Sequence, residues 1–231
     1  AISIPYSIPA EGTATGQDFS TLEGMFEGTG GEFTGHPLIN ITYYVPAPTV
    51  ADDNTDYLIF AGEEEFTLST NGNKRIWDDN GKMEYSTDTT SWTEWDGSKV
   101  LSSSTSAPYV LYLRGKNNTK VGGSQDNSFQ IDKPVACSGN IMTLLDYENP
   151  GTELKEENTF AYLFYNCRNL TSAPDLPATT LAEHCYYGMF SGCTGLSSAP
   201  ELPATRLADH CYHDMFSGCT GLETAPALEA T

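Results

Sequence analysis

The chain has 231 residues, of which 39% are hydrophobic and 18% charged, and its formal net charge is −20. An acidic excess of that size repels phosphate backbones and leaves no basic groove to release counterions, which excludes a nucleic-acid partner. No run of about 18 apolar residues occurs, so a transmembrane helix is excluded too. Length and a turn-rich, Gly/Ser/Thr/Asn-heavy composition predict more than one folding unit, largely β.

Residues 1–56 read as an N-terminal arm and a proline-containing linker. Ala1 reads as a mature or processed start. Leu38–Tyr44 is the one strand-like stretch in the arm, and Gly28–Gly35 is a glycine-rich loop without the lysine of a phosphate-binding loop. Val45–Asp56 is stiffened by Pro46 and Pro48. Residues 1–73 hold 11 acids and no Lys or Arg. Such an arm could dock on a sister subunit or on a capsid.

Residues 57–135 read as a β-sandwich-like module. Short strand-like runs are expected at Tyr57–Phe60, Phe66–Ser69, Lys82–Ser86, Trp92–Trp95, Val110–Arg114 and Ser128–Ile131. Turn signals at Asn71-Gly72, Asn80-Gly81 and Asp96-Gly97 separate several of them. Residues 136–231 read as a solenoid with Asn140–Tyr147 as its lead-in. Ala182–Thr205 and Ala208–Thr231 are identical at 17 of 24 positions, 26 residues apart, and a weaker copy precedes them. A fixed period in this range marks units that bury their apolar faces only against neighbours. Ala182, Cys185, Tyr186, Met189 and Phe190 follow i, i+3, i+4, i+7, i+8, which predicts an amphipathic helix. Thr180 with Glu183 would cap it and Gly192 would stop it. A short extended segment over Leu196–Leu202 follows. The last copy stops where a further helix should begin and shows no polar cap; the expectation is that the array continues or that its open end docks.

The repeat pattern Cys-Tyr-x-x-Met-Phe-x-x-Cys-Thr-x-Leu-x-x-Ala-Pro-x-Leu-Pro-Ala-Thr resembles the BspA-like leucine-rich repeats of gut-bacterial surface proteins and of the phages that infect such bacteria. The match covers 160–231. The segment holding Met83–Asp88, Ser91-Trp92-Thr93, Trp95 and Leu113–Asn117 resembles the β-rich module often found upstream of such repeats. The fold class expected is therefore mixed, a β-sandwich-like module plus a short α/β leucine-rich-repeat solenoid. The resemblance implies an extracellular or cell-surface adhesion role and carries no catalytic residues.

Five of the six cysteines sit at repeat-phased positions. Neighbouring coils lie too far apart for disulfides, so buried free thiols are expected. Cysteines point inward and histidines outward, which separates the members of any Cys/His nucleophile pair. No catalytic residue and no metal site is therefore assigned, although Asp52-Asp53-Asn54-x-Asp56 and Asp78-Asp79-Asn80 could offer oxygen ligands to calcium. His210 and His213 lack the further ligands zinc needs. The binding candidates are aromatic. Trp92 and Trp95 would face opposite sides of a strand, one in the core and one an exposed platform. Tyr187 and His213 occupy the same outward repeat position and could form a ligand-facing row. The function expected is non-catalytic binding to a host protein or glycan. The alternative is a virion-surface component, such as a head fibre, decoration or tail-associated protein, that docks or self-associates through residues 1–56 or the open solenoid end.

Overall fold

The structure is a computed structural model and describes residues 56–228. The expected arm, its strand at 38–44, the linker to residue 55 and the acidic cluster beginning at Asp52 lie outside the described residues. Two sheets are present among the described residues. The larger runs β4-β3-β6-β1-β8-β9, with β1 Leu58–Gly62, β3 Lys82–Ser86, β4 Thr93–Trp95, β6 Tyr109–Lys116, β8 Val135–Ser138 and β9 Leu170–Ser172. The smaller runs β5-β2-β7, with β2 Thr67–Thr70, β5 Leu101–Ser102 and β7 Phe129–Ile131.

All pairings are antiparallel except β8 with β9, which are parallel. β1 is buried along its whole length because β6 and β8 flank it and packing covers both faces, as its unbroken apolar run Leu-Ile-Phe-Ala requires. β6 alternates instead: Val110, Leu111, Leu113 and Gly115 are buried while Tyr112, Arg114 and Lys116 are partly exposed. Side chains of both sheets meet in one core, where Phe60 and Trp95 each lie 6.3 Å from Phe129, centroid to centroid. That core continues without a break into the repeat copies, down to Cys219. The 135/136 boundary falls inside β8.

The helix expected in each copy does not form. Among the described residues the only helix is one 3-10 turn, Ile141–Leu144, capped by Asn140 Oδ1 accepting from the Met142 amide at 2.9 Å. The repeats are instead chains of overlapping tight turns. Asn158, Tyr162, Asn166, His184, Gly188, Gly192, His210, Asp214 and Gly218 all have φ between 52° and 80°. A left-handed residue every fourth position sets a period of four, and the α-helical ladder cannot survive it. Most of the expected apolar stripe is buried, however: Cys185, Tyr186, Met189 and Phe190 are inaccessible, while Ala182 is partly exposed.

Backbone donors alternate along these chains. The amides of Leu163, Tyr165, Tyr187, Met189, Ser191 and their counterparts donate back three residues. The amides of 158, 160, 162, 164 and 166 donate forward to the carbonyls of 183, 185, 187, 189 and 191, and those of 184, 186, 188, 190 and 192 do the same to 209, 211, 213, 215 and 217. A constant offset of 25 in a 26-residue period lets each copy bond the next in register. The β module starts the series, since Val121, Gly123 and Phe129 donate to the carbonyls of Thr159, Ala161 and Leu163. Phe129 thus stands where a preceding copy would place its phenylalanine, at one end of the row Phe129, Phe164, Phe190, Phe216.

Thiols tie the copies together in the same rhythm. Cys167, Cys193 and Cys219 donate Sγ–H to the carbonyls of Phe129, Phe164 and Phe190 at 2.9 Å, 3.0 Å and 3.0 Å. All six cysteines are free and buried. Burial pushes the Cys185 thiol up to about 12 and those of Cys167 and Cys193 higher still.

Candidate functional site

Tyr187 and His213 come together on the surface. Their rings stack at 4.9 Å with planes 8° apart, because the copies that carry them are bonded in register. The homologous position in the first copy is Ala161, which is buried and offers no ring. Tyr162 fills that place from the neighbouring position, 5.3 Å from Tyr187. It can do so because position 188 is glycine: a Cβ there would lie 2.6 Å from the Tyr162 ring. Burial pushes the Tyr162 phenol up.

A second row runs beside the first. His184 and His210 stack at 5.0 Å, and His184 lies 5.5 Å from Tyr187 while His210 lies 5.2 Å from His213. Tyr165 adds an edge-on ring to Tyr162 at 5.6 Å. Each imidazole keeps Nδ1 near a carboxylate: Glu183 at 3.3 Å from His184, Asp209 at 2.8 Å from His210 and Asp214 at 3.3 Å from His213. The result is a two-row face of rings with carboxylates on its border. Stacking turns the ring faces toward one another, so the surface offers ring edges, hydroxyls and imidazole nitrogens. Among the described residues no group of three or more His, Cys, Asp or Glu is arranged to hold a metal ion.

The tryptophans lie elsewhere and apart from each other. Trp95 is 2% exposed, packed on Trp77 and Phe129, with Nε1 donating to the Lys99 carbonyl at 2.8 Å. It is a core residue, and its expected place among the ligand contacts is corrected. Trp92 is half-buried at the surface, but one face of its ring is covered by the Arg114 guanidinium at 3.8 Å, whose other side lies 3.9 Å from the Tyr147 ring. Glu84 Oε2 accepts from both Nε and Nη2 of Arg114 at 2.8 Å, and Trp92 Nε1 donates to the Thr89 carbonyl. Trp92 is therefore an outer layer of a π–cation–π clasp, and the face turned to Arg114 is closed to a ligand.

No family model, no curated protein and no solved structure matches the chain.

Of the two acidic clusters, Asp78-Asp79-Asn80 is described. Asp78 Oδ2 accepts from the amides of Thr119 and Lys120 and from the Thr119 hydroxyl, closing the loop after β6 onto the turn before β3. Sequence reasoning missed Tyr162, Tyr165 and the packing of His184 on His210. The 26-residue offset between the two histidines was the available signal.

Proposed function

We propose that the chain is a non-catalytic, surface-exposed interaction protein similar to BspA-like repeat proteins, acting outside the cell. In this reading the bonded copies form a short solenoid beside a β-sandwich-like module, and the ring face binds a host protein. The observation that carries it is the continuous row Tyr162, Tyr187, His213, assembled from three successive copies with a second imidazole row alongside. Edges, hydroxyls and imidazole nitrogens suit hydrogen bonding to a protein surface. A pyranose needs open ring faces, and the stacking of His184 on His210 and of Tyr187 on His213 closes the faces between them. The separation of buried thiols from surface imidazoles supports the absence of nucleophilic chemistry.

The test is binding of the labelled protein to cultured intestinal epithelial cells, comparing wild type with a Tyr187→Ser, His213→Ser variant of unchanged melting temperature. Loss of binding in the variant, and on protease but not glycosidase treatment of the cells, is expected. Equal binding by both proteins would refute the ring face as the contact.

A further inference from the structure

Three of the four histidines in the chain, His184, His210 and His213, meet on the ring face. His184 and His210 stack at 5.0 Å with planes 11° apart, and His213 stands 5.2 Å from His210. Each keeps its Nδ1 between 2.8 Å and 3.3 Å from the carboxylate of a sequence neighbour, Glu183, Asp209 or Asp214. A neutral imidazole has one N–H, and a carboxylate beside Nδ1 holds that hydrogen there. The lone pair is then left on Nε2, and the charge of the carboxylate is left uncompensated. Among the described residues no Lys or Arg forms an ion pair with these three carboxylates. With its imidazoles neutral, the face therefore combines three negative charges with imidazole lone pairs. A partner that fits it brings positive charge and several donors.

One group in this molecule already sits in such surroundings. The Arg114 guanidinium donates to Glu84 and lies between the rings of Trp92 and Tyr147. A guanidinium holds five N–H donors in a fixed fork, enough to engage a carboxylate and a neighbouring lone pair together, whereas an ammonium is a point charge. Acidification changes the balance, because histidine is the side chain that takes up a proton between pH 8 and pH 5. Each imidazolium then becomes the counter-ion of the carboxylate already beside it, and the face passes from three negative charges to none. The other groups facing the imidazoles are Tyr187, stacked on His213 and 5.5 Å from His184, and Tyr162, which packs on Tyr187 and lies in the field of Asp214. Phenols as a class titrate well above this range, so carboxylates and imidazoles set the charge of the face.

We infer that the ring face binds an arginine-bearing segment of its protein partner at neutral pH and releases it on acidification, when the imidazoles take over the carboxylates. The inference rests on the reading of the ring face as the contact surface. The first copy supplies the variant that tests it: Asn158 holds the repeat position of His184 and His210 with the same left-handed backbone, φ 59° against 54° and 52°. A His184→Asn, His210→Asn protein therefore keeps the fold and leaves only His213 to titrate. The full chain is titrated at 150 mM salt with a blocked Gly-Arg-Gly-Arg-Gly peptide and its Lys and Glu counterparts, followed by amide and imidazole NMR shifts. At pH 7.4 the Arg peptide is expected to saturate one site, with shifts centred on residues 183–187 and 209–214, and the Lys peptide to bind about fivefold more weakly. The Glu peptide is expected to give no shifts. At pH 5.5 the wild type should lose about tenfold in affinity and the double Asn variant no more than about threefold. Asp209→Asn should weaken binding at pH 7.4 by about fivefold, whereas Glu63→Gln, an exposed carboxylate outside the ring face, leaves it unchanged. Equal affinity for the Lys peptide, shifts spread over all acidic surfaces, or the same acid loss in the double Asn variant would each overturn the assignment. Cell binding that needs Tyr187 and His213, without peptide binding, refutes this inference and leaves the contact surface standing. Acid-released peptide binding, with cell binding indifferent to the Tyr187→Ser, His213→Ser changes, refutes the contact surface and leaves the guanidinium site standing.

Discussion

Tyr186 carries a hydroxyl that the fold buries without a partner, and replacing it by phenylalanine is expected to stabilise the protein. Its ring sits between Phe160 and Tyr212 at 5.9 Å and 5.8 Å with planes 13° and 10° apart, and the residue is 1% exposed. Its oxygen meets no donor or acceptor. An unsatisfied buried polar group costs about 1–3 kcal/mol. Deleting the oxygen leaves a void of roughly 10–15 Å³, which at about 24 cal/mol per Å³ returns only ~0.3 kcal/mol. The net expectation is a gain of about 1 kcal/mol, or roughly 2–4 °C in Tm for a chain of this size. The first copy already holds phenylalanine here, at Phe160.

Alkaline pH sharpens the test. Burial holds the Tyr186 phenol well above its ordinary range. Above about pH 10 the unfolded chain releases this proton while the folded chain retains it. Stability therefore falls as pH rises, by up to about 1.4 kcal/mol per unit for this one group. The Tyr186→Phe protein lacks that loss, so its advantage should widen between pH 10 and pH 11, in thermal melts followed by circular dichroism. A Tm lower than wild type by 2 °C or more at pH 7, or a gap that does not widen with pH, would refute the reasoning.

Two further outcomes follow from the same packing. With all six thiols buried and held above their ordinary range by desolvation, a thiol reagent at pH 8 should titrate none in the folded protein and six after denaturation. Rapid labelling in the native state would show that the copies do not shield them. Gly195→Ala should cost about 3 kcal/mol or more, because its Cβ would stand 2.5 Å from the Arg168 carbonyl oxygen of the previous copy. Gly151→Ala, whose Cβ would find nothing nearer than 3.9 Å, should stay within about 0.5 kcal/mol of wild type in urea unfolding.

The β module was largely legible. Lys82–Ser86 forms as expected, and five other expected runs overlap β1, β2, β4, β6 and β7. β5 and β8 were missed for a physical reason: Leu101-Ser102 is two residues long, and Val135–Ser138 reads as strand only once β1 and β9 pair with it from distant segments. The pairing of Tyr187 with His213 was readable from the repeat offset. The position of Tyr162 was not, since it depends on the absent side chain of Gly188 in the next copy.

The repeat backbone was misjudged because its apolar stripe fits two periods. Over two turns, Cys185, Tyr186, Met189 and Phe190 satisfy both 3.6 and 4.0 residues per turn; Cys193, four beyond Met189, favours 4.0. The deciding signal lay in the positions between. Those with left-handed backbone are Asn, Tyr, Asn in the first copy, then His, Gly, Gly, then His, Asp, Gly. All but the tyrosine belong to the types that tolerate that conformation best. A pair of substitutions at exposed His210, with φ 52°, separates the two backbones by sign. Both His210→Gly and His210→Ala remove the same ring contacts, so their difference reports the backbone alone. In a right-handed helix the alanine protein would be more stable by about 1 kcal/mol. In a chain of turns with a left-handed residue here, alanine carries a penalty of roughly 1–2 kcal/mol that glycine escapes, partly offset by glycine's larger unfolded-state entropy. The glycine protein is therefore expected to have the higher urea midpoint, and the reverse order would restore the helix.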